Sequence, residues 1–158
     1  MYPHGVDLQT ISEATMSWRL IVAAILGTLL GLERSLRGKH AGMRTYALVA
    51  LGSCLFVVAG TLASFELGMF SGINPLVIAA NVVVGIGFIG AGLAVFRGEH
   101  PVELTTATGL WVAAGVGMAV GFGFYIVGAV ATVIGLTVFS FLLRVENAAR
   151  QKYGTEKE

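Results

Sequence analysis

Five stretches of the chain run almost without charge, and short polar segments separate them. They cover about residues 16–34, 47–65, 75–96, 104–121 and 124–143. Each approaches the roughly 20 apolar residues that carry a helix across about 30 Å of hydrocarbon at about 1.5 Å per residue. The last four contain no Asp, Glu, Lys or Arg. In the first, the uncharged part, 20–32, is too short to cross alone, so Arg19 and Glu33 are expected near the two interfaces, where long side chains reach polar surroundings. Hydrocarbon offers the backbone no water, so continuous apolar runs of this length predict helices; the alternation of a membrane barrel is absent. A single helix over 104–143 would far exceed a bilayer, which predicts a turn at 121–123.

The expected fold is therefore all-α: a polytopic membrane bundle of about five transmembrane helices. A short N-terminal segment (1–15) precedes the bundle (16–144), and a short tail (145–158) follows. Its first partner is the lipid bilayer. Composition agrees, with 56% hydrophobic and 12% charged residues where soluble domains carry about 25% charged, and a mean hydropathy of +0.82. A net charge of +1, with no basic patch beyond loop size, argues against a nucleic-acid partner, which needs excess Lys and Arg to displace counterions. Cys54 is the single cysteine, so neither an intramolecular disulfide nor a thiolate zinc site can form.

Orientation follows from the basic residues. Arg34, Arg37, Lys39 and Arg44 follow the first span, Arg97 the third, and Arg144, Arg150, Lys152 and Lys157 the fifth; Arg19 alone lies on the other side. Loops rich in Lys and Arg stay in the cytoplasm, which places the N-terminus outside and the C-terminus inside. The positive charges come after the first apolar run, the reverse of a cleaved signal peptide.

Gly85, Gly87 and Gly90 spell the G-x-G-x-x-G fingerprint, but that motif needs a preceding strand and a later acidic residue. Inside an apolar span it implies no cofactor. Close helix packing is the favoured reading, ahead of a broken helix whose freed backbone lines a site. Small residues also recur four apart at Ala23, Gly27 and Gly31, and at Gly109, Ala113, Gly117 and Gly121. Each set shares a helix face and makes a smooth groove for a neighbour in the same chain or in a second copy, which leaves a homo-oligomer open.

Among the charges, Glu33, Arg34 and Arg44 stand out, because ions near membrane depth need a partner or water. They are expected to anchor the interface, with Glu33 and Arg44 paired or in one network. Asn81, near the middle of the third span, could bond across helices for roughly 1 kcal/mol, or hold a ligand. His40 and His100 lack partners at ligand spacing, so no metal site is expected. No nucleophile with a base, no paired carboxylates in a cleft and no phosphate loop argue for an enzyme. Finally, Arg37-Gly38-Lys39-His40 echoes Arg97-Gly98-Glu99-His100, and Thr45, Ala47 and Gly27 match Thr105, Ala107 and Gly87 at the same offset. That suggests two hairpins related as parallel repeats.

Four pieces stand in order along the chain: Gly31-Leu32-Glu33-Arg34, then Ala41-Gly42-Met43-Arg44-Thr45, then the glycine-rich 85–92, which includes Gly92, and Leu104-Thr105-Thr106-Ala107 with Leu110-Trp111. In these the chain resembles the MgtC/SapB family of bacterial inner-membrane proteins. The resemblance implies a bundle in the inner membrane. For well-known members it implies a link to low-magnesium adaptation and survival inside host macrophages, with restraint of the ATP synthase as a proposed mechanism. The chain departs from the pattern at Val77 and Asn81, where the family usually has Arg and Gln, and at Glu103, where it has Gly. The virulence-linked members carry a soluble C-terminal domain where this sequence stops soon after Arg144, so the resemblance is expected to be to the short SapB-like branch.

These readings single out Glu33, Arg34, Arg44, Thr45, Asn81, Gly85, Gly87, Gly90, Gly92, Thr105, Thr106 and Trp111. The function expected is that of a non-enzymatic membrane factor that binds or regulates another membrane complex in envelope or magnesium-stress adaptation. The alternative is a small ion or solute carrier or channel that uses the glycine-rich third helix. The first is preferred because the spans hold few polar groups, whereas ion routes need intramembrane carboxylates or polar linings.

Overall fold

A computed structural model describes residues 13–66, 75–95 and 104–153. Among them every regular element is helical. The helices are α1 (Glu13–Leu36), α2 (Met43–Glu66), α3 (Pro75–Val95), α4 (Leu104–Gly121) and α5 (Tyr125–Thr137). A π-helical turn, Val138–Leu142, continues α5 into α6 (Leu143–Tyr153). Five helical rods are long and apolar enough to cross a membrane, as the charge-free runs predict.

Two of the connections are set by glycine in the left-handed region. At the end of α1, Gly38 has φ +64°, its N–H donates to the Ser35 carbonyl, and the Lys39 N–H donates to the Arg34 carbonyl. This is a Schellman closure, which satisfies carbonyls that the helix end leaves open. Gly123 repeats it after α4, with φ +89° and bonds from Gly123 to Val120 and from Phe124 to Ala119. The predicted turn at 121–123 is therefore real, and α5 folds back along α4. At the start of α2, the Ser35 hydroxyl accepts from the Met43 N–H at 2.9 Å.

Neighbouring helices run antiparallel. Gly60 near the end of α2 faces Ile78 near the start of α3, and Gly90 near the end of α3 faces Ala107 at the start of α4. Helix α4 is the hub: it packs against α1, α2, α3 and α5, and half of its span is buried. In α3, by contrast, Ile86 is the one buried residue among those described.

Lipid tails are as apolar as Leu, so these helices associate through close packing. A Cβ at Gly117 would overlap the Ala50 carbonyl, and one at Gly27 would come within 2.7 Å of the Tyr46 carbonyl. The small faces of α1 and α4 are thus used inside the chain, where α2 lies against both. The glycine-rich segment of α3 behaves differently. Its helix is unbroken, which overturns the broken-helix alternative. Gly85, Gly87 and Gly92 face open space, and only Gly90 approaches a neighbour, Ala107.

The sixty-residue echo does not extend to packing, since Gly27 is pressed against α2 whereas Gly87 meets nothing. Its second loop, 97–103, lies outside the described residues.

Candidate functional site

Residues three and four apart lie on one side of a helix. In α1 the buried set Met16, Arg19, Ala23, Leu30 and Arg34 follows that spacing, so the face with the small residues also carries two arginines into the bundle.

Arg34 is 3% exposed. Its Nη2 donates to the Thr106 hydroxyl at 2.8 Å, and its guanidinium carbon stands 4.8 Å from the centre of the Phe139 ring. Glu33 Oε2 lies 3.9 Å from Nη1. The Tyr46 hydroxyl donates to the Thr106 carbonyl at 3.3 Å, and the Tyr46 ring meets Phe139 edge-on, at 6.4 Å and 82°. Phe139 belongs to the π-helical turn and is its buried residue; one extra residue in that turn shifts the side-chain register relative to a plain α-helix. Thus α1, α2, α4 and the rod that begins with α5 each place a side chain around one guanidinium. A hydrogen bond to a charge contributes about 1.5–3 kcal/mol, and a desolvated cation over a ring about 2 kcal/mol. These offset the cost of burying the charge.

Glu33 also accepts from Arg37 Nε, one turn on. The expected Glu33–Arg44 pair is therefore not made. Arg37 shares a helix face with Glu33, whereas Arg44, on α2, lines a groove toward α3. Arg44 has no ion pair among the described residues.

At the opposite end, Arg19 is 6% exposed and its Nη1 donates to the Gly121 carbonyl at 2.8 Å. The polar surroundings it reaches are thus protein groups inside the bundle: the Gly121 carbonyl holds it at the end of α4, where a cation also meets the negative end of the helix dipole.

The groove between α2 and α3 encloses about 1010 Å³. Its walls are mostly apolar, with Leu48, Phe56, Ile86 and Phe88, but Arg44, Thr45, Ser53 and Asn81 also line it, and so does Gly85. The structure thus sorts the sequence candidates into two places. Glu33, Arg34 and Thr106 meet in the buried cluster; Arg44, Thr45, Asn81 and Gly85 meet at the groove. Thr105 and Trp111 are exposed on α4.

Tyr46, Phe139, Arg19 and Ser53 were not among those candidates. The face of α1 could have revealed Arg19, since it lies in register with Ala23 and Arg34. No sequence signal marks Phe139, whose position depends on the π turn. Chemically, the cluster ties helix ends together around one buried arginine. The groove can hold an elongated, mostly apolar body with polar groups along one side.

The chain is similar to known proteins over most of its length. The sequence model of the MgtC family matches residues 20–148. The chain is 44% identical over 126 residues to YhiD of Escherichia coli (strain K12), whose name describes a candidate magnesium transporter, an alignment that covers 77% of this chain and 59% of that protein. It is 36% identical over 151 residues to SrpB of Synechococcus elongatus, covering 90% and 82%. It is 40% identical over 125 residues to MgtC of Salmonella typhimurium (strain LT2), covering 79% and 51%. The chain thus spans between half and three fifths of the length of MgtC and YhiD. No solved structure matches. With a family match across most of the helical region, the chain belongs to the MgtC family.

Proposed function

We propose that this protein is a non-enzymatic factor of the bacterial inner membrane that acts by binding another membrane complex, in envelope or magnesium-stress adaptation. The observation that carries the reading is a division of labour among polar groups. The buried arginines, Arg19 and Arg34, are engaged by the fold itself. The polar groups of the groove, Arg44, Ser53 and Asn81, face the side where α3 is hardly covered. A second copy of the chain or a different membrane protein could occupy that side.

The carrier reading has one observation in its favour, since Thr45, Ser53 and Asn81 lie along a single groove, and YhiD bears a name that speaks of magnesium transport. Charge argues against it. A hard divalent cation takes several oxygen ligands, mainly carboxylates, carbonyls or waters. Among the described residues the groove lining contains an arginine and no carboxylate. The test is Mg²⁺ entry into liposomes that hold the purified protein and a Mg²⁺-sensitive dye, beside crosslinking from α3 in native membranes. Flux above that of empty liposomes would overturn the proposal. No flux, together with a discrete protein adduct, is the expected result.

A further inference from the structure

We infer that the α2–α3 groove receives a transmembrane helix of a different protein, one with a carboxylate at the Arg44 end and a hydrogen-bonding side chain deeper in the bilayer. This inference rests on the partner-binding reading above and gives that partner a chemistry.

Hydroxyls in the spans usually satisfy themselves. Thr28, Thr61, Ser64, Thr108, Thr132 and Thr137 each donate to the carbonyl four residues back. Ser53 does not: it is 3% exposed, lines the groove and makes no side-chain hydrogen bond among the described residues. Asn81, on the facing wall, likewise has no partner there. In hydrocarbon such groups seek one, and a polar side chain on a packed helix supplies it.

Arg44 is the second observation. Arg19, Arg34 and Arg37 all have protein partners, whereas Arg44 stands at the groove without an ion pair among the described residues. It is nine residues before Ser53, about 13 Å along the helix axis. The occupant must therefore be long enough to offer an anion at one end and a hydrogen-bonding group about 13 Å further on. A helix does this with residues about seven or eight positions apart, which share one face.

The walls suit a backbone. Gly52 on α2 and Gly85 on α3 both line the groove and have open space where a Cβ would stand, so an incoming helix can approach closely. A lipid could bring an anion to Arg44, but its acyl chains would leave Ser53 and Asn81 unsatisfied. A second copy related by a two-fold axis along the membrane normal would bring another Arg44 to the same side of the membrane, and among the described residues the groove offers no carboxylate to meet it.

The experiment uses the full chain in membranes of the producing bacterium, with a photocrosslinking residue at Phe88, which is 83% exposed at the groove, or at Val130, 51% exposed on α5. The expected result is one protein adduct from Phe88 and none from Val130. Arg44→Glu should lower its yield about tenfold or more, as like charges oppose at a close pair. Ser53→Ala with Asn81→Leu should also lower it. Thermal unfolding of each purified variant shows whether it folds. Once the adduct is identified by mass, changing its carboxylate at the Arg44 level to Lys should restore crosslinking to Arg44→Glu. An adduct indifferent to Arg44, one to lipid, or one to this same chain overturns the inference. An adduct from Val130 alone overturns the groove but leaves partner binding standing. No protein adduct from either position, or from a scan of the remaining exposed α3 residues, overturns both.

Discussion

Arg34 Nη2 and the Thr106 hydroxyl lie 2.8 Å apart, joining the end of α1 to the start of α4 across 72 positions of sequence. Both residues belong to pieces that carry the family resemblance, and they meet in a buried contact. Arg34→Gln and Thr106→Val should each lower thermal stability in detergent, by about 1.5–3 kcal/mol for a hydrogen bond to a charge. Arg34→Gln should cost the more, because it also loses the Phe139 ring. The double variant should fall short of the sum by at least about 0.5 kcal/mol, the sign of direct coupling. Strict additivity would show that the contact contributes nothing of its own.

Much of this architecture could be anticipated because lipid imposes a simple rule: uncharged runs of bilayer length must be helices. The turn at 121–123 followed from the length limit, and Gly123 makes it. Side-chain partners were harder. Glu33 and Arg44 sit on facing segments, yet Glu33 turns to Arg37 on its own helix, since the choice between partners depends on rotation about each axis. The glycines of α3 were misleading for a related reason. A small-residue face announces that something can approach, and says nothing of whether it belongs to the same chain.

A second double-variant comparison follows from that choice. Glu33→Gln paired with Arg37→Gln should show coupling of about 0.3–0.5 kcal/mol, the range for exposed i,i+4 pairs, because Arg37 is partly exposed. Glu33→Gln paired with Arg44→Gln should be additive in stability. Coupling in the second pair and none in the first would contradict the observed geometry.

The two glycine faces should respond oppositely to bulk. Gly117→Leu drives a branched side chain into the Ala50 backbone, and overpacking of this kind costs about 1–3 kcal/mol or more. Gly87→Leu meets open space and should leave the unfolding temperature of the purified chain close to wild type. Equal losses in both would mean that α3 packs in the isolated protein as tightly as α4.

Gly123 tests the turn itself. Its φ of +89° lies where a Cβ is strained by about 1–2 kcal/mol, and the added carbon would also stand 3.3 Å from Arg19 Nη2. Gly123→Ala should therefore destabilise measurably. Gly115→Ala on α4, with open space beside it, should be neutral or slightly stabilising, as Ala is the better helix former. A neutral Gly123→Ala would mean that the turn adopts another conformation in the membrane.

Orientation is the remaining property that labelling can decide. The alternating packing puts the α1–α2 loop and the α4–α5 turn at opposite ends of the bundle, because Arg34 meets the start of α4 while Arg19 meets its end. Arg34, Arg37, Lys39 and Arg44 all gather at the first of these ends, which the positive-inside rule assigns to the cytoplasm. Single cysteines at Lys39 and Phe124, the latter 61% exposed, can be placed in a Cys54→Ala background. An impermeant thiol reagent added to cells with a permeabilised outer membrane should label Phe124→Cys and spare Lys39→Cys until the inner membrane is opened. Labelling of Lys39→Cys alone would invert the topology and place Arg44 and its end of the groove on the outer face. Labelling of both in sealed cells would mean that the chain inserts in two orientations, which the strong basic bias of one end argues against.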